Sequence, residues 1–367
     1  MNVIELFKYF INAKSETPDD GGLLDFVEEY LSGFDAIRVD VEDVKNLFIY
    51  RKFGEGEHLC FAGHVDVVPA GDKGWNSNPY EAFEKDDYIY GRGAQDMKSG
   101  LAAFTQAVKE ARGFKGTLSL LLTSDEEGEG VNGTIKLLEF LQNNEMLPDA
   151  VVVAEPTCED KFGDAIKVGR RGSINGYLTL KGKQGHAAYP QKAINPIHNI
   201  SKVLGNIAGV NLDDGDEFFA PSKFVITDIR SGMQVTNVTP NELQMMFNVR
   251  NNTKTSQQTI IDFIAKHFEG LDYELRLTQG SYPFKTATDT KLVKQIDEAI
   301  KSVTGVKTKH STAGGTSDAR LIAPMGIDVI EFGVRNDTIH SVNERTTKKE
   351  VQDLYEVFKH LILNWER

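Results

Sequence analysis

An α/β protein built on a doubly wound, mostly parallel sheet is predicted by three features of the chain. Two largely apolar runs, Leu118 to Leu122 and Ala150 to Ala154, stop abruptly at carboxylates: Asp125, Glu126 and Glu127 after the first, Glu155 after the second. Apolar runs without regular polar alternation read as strands covered on both faces, as in the middle of a parallel sheet. Around them apolar residues recur at helical spacing, and after Gly172 the pattern changes to alternating strands, which marks an inserted α+β domain.

At the start, Val3, Phe7 and Phe10, then Leu24, Val27, Tyr30 and Leu31, predict two amphipathic helices. Strands follow at 46–50 and 59–63, the second running into His64, Val65 and Asp66. Because strand side chains alternate, His64 and Asp66 share a face. The stretch Gly91 to Asp96 leads into a helix marked by Met97, Leu101, Phe104, Val108 and Ala111, with Asp96 at its N-terminus. The strand at 118–122, a helix about Ile135, Leu138 and Leu141, and the strand at 150–154 complete the alternation. From Ser173 the order is strand 173–180, helix 195–207, strands 223–229 and 242–250, helix 259–268 and strand 273–278. That βαββαβ order is the ferredoxin-like plan. After Pro283 the first pattern resumes with a helix at 292–303, a loop at Gly314, Gly315 and Thr316, a helix at 317–323, a strand at 329–332 and a last helix opened by a capping box of Thr347 with Glu350. The predicted domains are therefore 1–172 with 285–367, and an insertion at 173–284.

A chain of 367 residues exceeds what one core usually organises, which agrees with two domains. Its net charge of -13 argues against nucleic acid or an anionic membrane as partner, since either needs a basic face. An anionic ligand would then have to meet a local cationic island, and Lys167, Arg170 and Arg171 form one, with Arg250 ending a strand of the insertion. Arginine forks pair with carboxylates through two parallel bonds. Cys60 and Cys158 make no disulfide framework, and Cys60 lies inside an apolar run as a core residue. The N-terminus lacks a basic segment followed by an apolar core and cleavage site, and no run of 18 apolar residues occurs, so a cytoplasmic protein is expected.

Five potential metal ligands fall at or just after strand ends: His64, Asp96, Glu127, Glu155 and His340. Singly, each has a plain alternative. The acids at 125–127 suit a solvated turn or a helix start, Asp96 suits a helix cap, and Glu155 before Pro156 suits a turn. Together, two histidines with three carboxylates and no cysteine suit zinc, cobalt or manganese. That set is too large for one catalytic zinc with an open position, and it fits two metals sharing a bridging carboxylate, with Asp96 as the natural bridge. Glu126, beside Glu127, would be left to take a proton from the attacking water and hand it to a leaving amine. Asp66 would bond the far nitrogen of His64 and fix its tautomer, or else form a turn before Pro69. Of the remaining histidines, His58, His198, His267, His310 and His360 are expected at the surface.

The runs Gly63 to Pro69, Gly91 to Lys98, Ser124 to Gly128 and Ala154 to Pro156 resemble the dinuclear zinc aminoacylase and carboxypeptidase family, and the likeness extends over nearly the whole chain. The resemblance implies that His64 and Glu155 hold one metal and Glu127 and His340 the other, with Asp96 between them and Glu126 as base. It implies two zinc ions per subunit, cobalt being an alternative in the second position, a homodimer built through the insertion, and a cis peptide bond after Asp96. Three further stretches, Lys167 to Ser173, Lys183 to Pro190 with His186, and Asn336 to His340, are similar to members that cleave a succinyl amide. They imply a small anionic substrate, His186 beside the oxyanion, and Lys167, Arg170, Ser173, Asn237, Arg250, Gly315, Thr316 and Asn336 as substrate contacts. A sister deacylase acting on acetyl amides or a peptide would share the ligands. A dinuclear phosphoesterase would use similar metals, and a noncatalytic binding protein would be expected to have lost ligands or base, none of which is missing here.

Overall fold

The structure, a computed structural model, describes residues 1–71 and 73–365. It divides into two compact units, Met1–Gly169 with Lys285–Ser311 and Ser317–Arg367, and Arg170–Phe284 with Thr312–Thr316. In chain order the principal elements are α1 (Val3–Asn12), α2 (Leu23–Tyr30), β1 (Asp35–Arg38), β2 (Asn46–Lys52), β3 (His58–His64), α3 (Lys98–Lys109), β4 (Thr117–Thr123), α4 (Thr134–Asn143), β5 (Ala150–Val153) and β6 (Ala165–Lys167). Then follow β7 (Ser173–Lys181), α5 (Pro196–Ser201), β8 (Phe224–Ser231), β9 (Glu242–Val249), α6 (Gln257–His267) and β10 (Tyr273–Ser281). The chain ends with α7 (Lys291–Thr304), β11 (Lys309–Ser311), β12 (Asp328–Glu331) and α8 (Lys348–Asn364).

The larger unit is organised on one eight-stranded sheet in the order β1-β2-β4-β3-β5-β12-β6-β11. Its central strands run parallel, β3 with both β4 and β5, and β5 with β12. From Leu59 to His64, from Leu118 to Thr123 and through all of β5 every residue is buried, as expected of strands covered on both faces. Register decides what emerges at their carboxyl ends. His64 lies opposite Thr123, and Ala62 opposite Val153, so His64, the turn at 125–127 and Glu155 leave the sheet along one edge. Helix α3 lies close over that edge: a Cβ on Gly100 would stand 2.3 Å from the Ala154 carbonyl oxygen, so only glycine permits the approach. The peptide bond between Asp96 and Met97 is cis.

The smaller unit is an antiparallel sheet ordered β8-β9-β7-β10, the ferredoxin-like arrangement. Alternate residues of β7 and β9, among them Ile174, Leu178, Leu180, Leu243, Met245 and Phe247, face Ile200, Ile207, Ile260 and Ile264 in one core. The 195–207 segment is two short helices, Pro196–Ser201 and Leu204–Ile207, not one. Three strands at or next to the sheet edges, β1, β6 and β11, are too short to show a sequence period. The unit boundary falls just before Arg170 and not after Gly172. Segment 312–316 also belongs with the smaller unit, because Thr312 Oγ1 donates to Phe218 O (2.5 Å) and Arg170 Nη1 to Ala313 O (2.7 Å). At α8 only half of the expected box forms: Thr347 Oγ1 accepts from Glu350 N, while the Glu350 carboxylate accepts from Thr346 Oγ1 and pairs with Arg335.

Both cysteines are buried core residues, with burial pushing the thiols up to about 12 at Cys60 and about 11 at Cys158. Of the five histidines expected at the surface only His198 is fully exposed. His58 opens β3 as a largely covered side chain, its Nε2 bonded to Ser119 Oγ at 2.7 Å. Burial lowers its pKa to about 4, against a weak opposing pull from Asp149. Between the ordinary histidine value and about 4 the unfolded chain therefore binds a proton that the folded chain does not, so stability is full above that window and falls as pH drops through it. Denaturant unfolding should show wild type losing about 2 kcal/mol more than His58→Gln between about pH 7 and about pH 5.

Candidate metal centre

Six side chains of the larger unit converge beyond the carboxyl ends of β3, β4 and β5. His64 is the last residue of β3 and wholly covered, and its Nδ1 donates to the main-chain carbonyl of Asp66 at 2.8 Å. That bond orients the ring and turns Nε2 toward Asp96 Oδ1 (3.2 Å), Glu155 Oε1 (3.7 Å) and Glu126 Oε2 (4.0 Å). The Asp66 carboxylate was expected to make the Nδ1 contact, but Oδ1 stands 3.6 Å away. It accepts instead from the backbone N–H groups of Glu126 (3.4 Å) and Glu127 (3.1 Å), which fixes the turn after β4. Asp66 thus serves both ends of the cluster, one through its main chain and one through its side chain.

Asp96 does not cap α3, whose N-cap is Met97 with no side-chain bond. Its two carboxylate oxygens face different histidines, Oδ1 toward His64 Nε2 and Oδ2 toward His340 Nε2, each at 3.2 Å. His340 Nε2 also lies 2.9 Å from Glu127 Oε1. The donor atoms fall into three groups, each within 4.8 Å: His64, Asp96 and Glu155; Asp96, Glu127 and His340; and His64, Glu126 and Glu127.

The electrostatics fit cations. Burial, reinforced by Asp96 and Glu126, drives the Glu155 carboxyl well above the usual range, with His64 opposing. Burial does the same at Glu126, reinforced by Asp318, Asp96 and Glu127. Asp96 goes the other way: against its burial, bonds from His340 and His64 hold it below the ordinary range. The His340 bonds to Asp96 and to Glu127 raise the His340 pKa to about 10. Acids crowded until some must keep protons are what divalent ions relieve, since binding releases those protons. Nitrogen and oxygen donors without thiolate suit zinc, cobalt or manganese.

The other expected site residues lie in their own units. In the larger unit, Lys167 ends β6, buried, its Nζ 3.4 Å from both Ser311 Oγ and Glu159 Oε1. Asn336 is exposed, its main-chain N–H donating to Cys158 O. In the smaller unit Arg170 is buried, and Gly314, with φ of 107°, leaves room for its guanidinium: a Cβ there would stand 2.6 Å from Nη1. Ser173 Oγ accepts from Asn248 Nδ2 at 3.0 Å. His186 is exposed, its Nδ1 accepting from Ala188 N, and Asn237, Arg250, Gly315 and Thr316 are exposed as well. The helix expected at 317–323 is reduced to Ala319–Ile322 and a 3₁₀ turn, and Ser317 Oγ already accepts from Ala319 N. No free helix N-terminus for a carboxylate exists there. Sequence reasoning missed Glu331, which ends an apolar strand as Glu155 nearly does but accepts from Ser317 Oγ at 2.6 Å and joins none of the donor groups. It also missed Arg92, Gln95 and Glu344, whose bonds hold the loops around Asp96 and His340.

The chain belongs to peptidase family M20/M25/M40, whose model matches residues 60–364. It is 73% identical, over 100% of both chains, to the succinyl-diaminopimelate desuccinylase of Sulfurimonas denitrificans. Its fold is similar to that of aminopeptidase PepT from Bacillus cereus, with a TM-score of 0.81 at 19% identity, covering 100% of this chain and 98% of that one. It is also similar to that of a dinuclear metal binding peptidase from Bacillus subtilis, with a TM-score of 0.73 at 16% identity, covering 98% and 96%.

Because Asp96 faces both histidines while Glu155 meets only His64, the two acids should differ on substitution. Zinc titrated into metal-stripped protein should bind more weakly at both positions in Asp96→Ala, and at one in Glu155→Ala. A single weakened position in both variants would contradict a shared Asp96.

Proposed function

We propose that this chain hydrolyses N-succinyl-LL-2,6-diaminopimelate to LL-2,6-diaminopimelate and succinate, a step of lysine and diaminopimelate biosynthesis, using two zinc ions, with cobalt as an alternative in the second position. The observation that carries the dinuclear part is Asp96 presenting one carboxylate oxygen to each histidine. The substrate follows from the name of the Sulfurimonas relative, matched over its full length.

In this reading His64 and Glu155 hold one metal, Glu127 and His340 the other, and Asp96 lies between. The bound ions supply Lewis-acid polarisation of the amide carbonyl and make water acidic at neutral pH. Glu126, 4.0 Å from His64 Nε2 and barely exposed, takes the proton of the attacking water at its carboxylate and returns it to the leaving amine nitrogen. Asp66 holds the Glu126 and Glu127 backbone so that the base stays beside the ligand. His186 is assigned to donate a hydrogen bond to the oxyanion. Lys167, Arg170 and Arg250 are assigned to the substrate's carboxylates, with Ser173, Asn237, Gly315, Thr316 and Asn336 as polar contacts.

The assembly proposed is a homodimer through the smaller unit, and the compartment the cytoplasm. No helix among the described residues is long and apolar enough to cross a membrane.

The acyl group is the discriminating test. A succinyl amide carries a terminal carboxylate that an acetyl amide lacks, and a cation left without its partner costs about 1–3 kcal/mol or more. The expected kcat/KM for N-succinyl-LL-2,6-diaminopimelate therefore exceeds that for N-acetylornithine by more than about tenfold, and Arg170→Ala should shrink the ratio. Preference for the acetyl compound would move the assignment to acetylornithine deacetylase or a related metallo-deacylase.

Glu126→Gln should keep both zinc ions and lose roughly 10²–10⁴ in kcat. Mixed with His186→Ala subunits it should recover activity if His186 acts on the partner's centre. Proven subunit exchange without recovery would remove that role from His186.

A further inference from the structure

The two halves of the metal centre are supported in different ways. His64 ends β3 within the sheet ladder and Glu155 lies two residues beyond Val153, the last paired residue of β5, and the His64 side chain is only 1% exposed. His340 is on a loop with its side chain 47% exposed, and its backbone is left-handed at φ 56°, followed by Asn343 at φ 58°. Such a conformation is disfavoured for residues with a Cβ. Little packing orients this ring, so its bearing must come from whatever holds the loop.

A fully buried carboxylate does so. Glu344 Oε1 accepts from the backbone N–H of Gln95 (2.8 Å) and of Asp96 (3.1 Å), and Oε2 from Gly93 N (3.1 Å) and Arg92 Nη1 (2.7 Å). Four donors occupy its two oxygens, three of them main-chain groups of the loop that ends at Asp96. The Glu344 carbonyl adds a bond from Gly91 N at 3.0 Å. Arg92 passes the restraint back, with Nη1 3.3 Å from Ser341 O and Nη2 3.5 Å from His340 O. Gln95 makes a second fastening: Nε2 donates to Asp337 Oδ1 (2.6 Å) and Oε1 accepts from Thr338 N (2.8 Å).

We propose that Glu344, with Arg92 and Gln95, is a positioning residue for the second metal position, fastening the loop that carries Asp96 to the loop that carries His340. The inference rests on the dinuclear reading above. Groups that orient metal ligands typically change metal affinity 10–100-fold when removed. The fastening reaches His340, which serves only the second position, as well as Asp96, which faces both histidines, so the loss is larger at the second position.

Calorimetric titration of metal-stripped protein with zinc reads both affinities. In Glu344→Gln the second equivalent should bind roughly 10–100-fold more weakly, and the first should lose less than the second. Its kcat should be lowered at limiting zinc and largely restored by excess, with KM little changed. Unchanged affinity for the second equivalent overturns the proposal. So does a parallel loss of both affinities that tracks a fall in melting temperature, which is what a purely structural Glu344 would give. Gln95→Leu removes only the uncharged fastening, and if Glu344→Gln does not fold it is read by the same criteria. Wild-type protein that takes up no zinc would instead refute the dinuclear reading, and this inference with it.

Discussion

Mutual repulsion among acids gathered at one sheet edge is the constraint on which the centre depends. Asp96, Glu126, Glu127 and Glu155 stand around His64 and His340 at hydrogen-bonding or near-contact distances, and burial removes most of the water that would screen them. Such an arrangement persists only because backbone positions are fixed by groups outside it. The register of three parallel strands delivers His64, the turn at 125–127 and Glu155 to one edge, and their buried cores make a slip of register costly. Asp66 then holds the turn through two main-chain N–H groups.

The same need explains why buried carboxylates outside the donor groups cluster nearby. Glu344 fastens two loops, and Glu331 holds Ser317. Asp318 accepts from Thr134 Oγ1 at 2.6 Å, tying the segment after residue 316 to α4. Glu344 sets four donors against its burial, while Glu331 and Asp318 each accept from a hydroxyl. Strand-borne ligands need few such aids and loop-borne ligands need many, so the second half of the centre is where the supporting network is densest.

Recognition is separable from this machinery. Lys167 ends a strand of one unit and Arg170 begins the other, each buried and hydrogen-bonded within its own unit. Lys167 also pairs with Glu159, and in the proposed function an anionic ligand group joins the partners these buried cations already have. In the function proposed here the ligand set can serve many amides, and the cations are assigned to select the acyl group. That division is consistent with one fold carrying several related hydrolytic activities.

The sequence by itself determined the fold class, the insertion and the candidate ligands. Strand periodicity and abrupt apolar-to-acid transitions are local signals, and His64, Glu127 and Glu155 follow such strands directly in the chain. What it left open were relations set by contacts between distant segments. The short strands β1, β6 and β11 carry no period, and the break in the 195–207 helix depends on packing. His58 looked like a surface residue until β4 placed Ser119 beside it. Asp66 was legible as a partner of His64, but only the turn geometry showed that its main chain makes the Nδ1 bond and its carboxylate holds the neighbouring turn. Glu344 and Gln95 meet their partners across about 240 residues of chain, a separation over which spacing says nothing, since only the closed fold brings those backbones within hydrogen-bond reach.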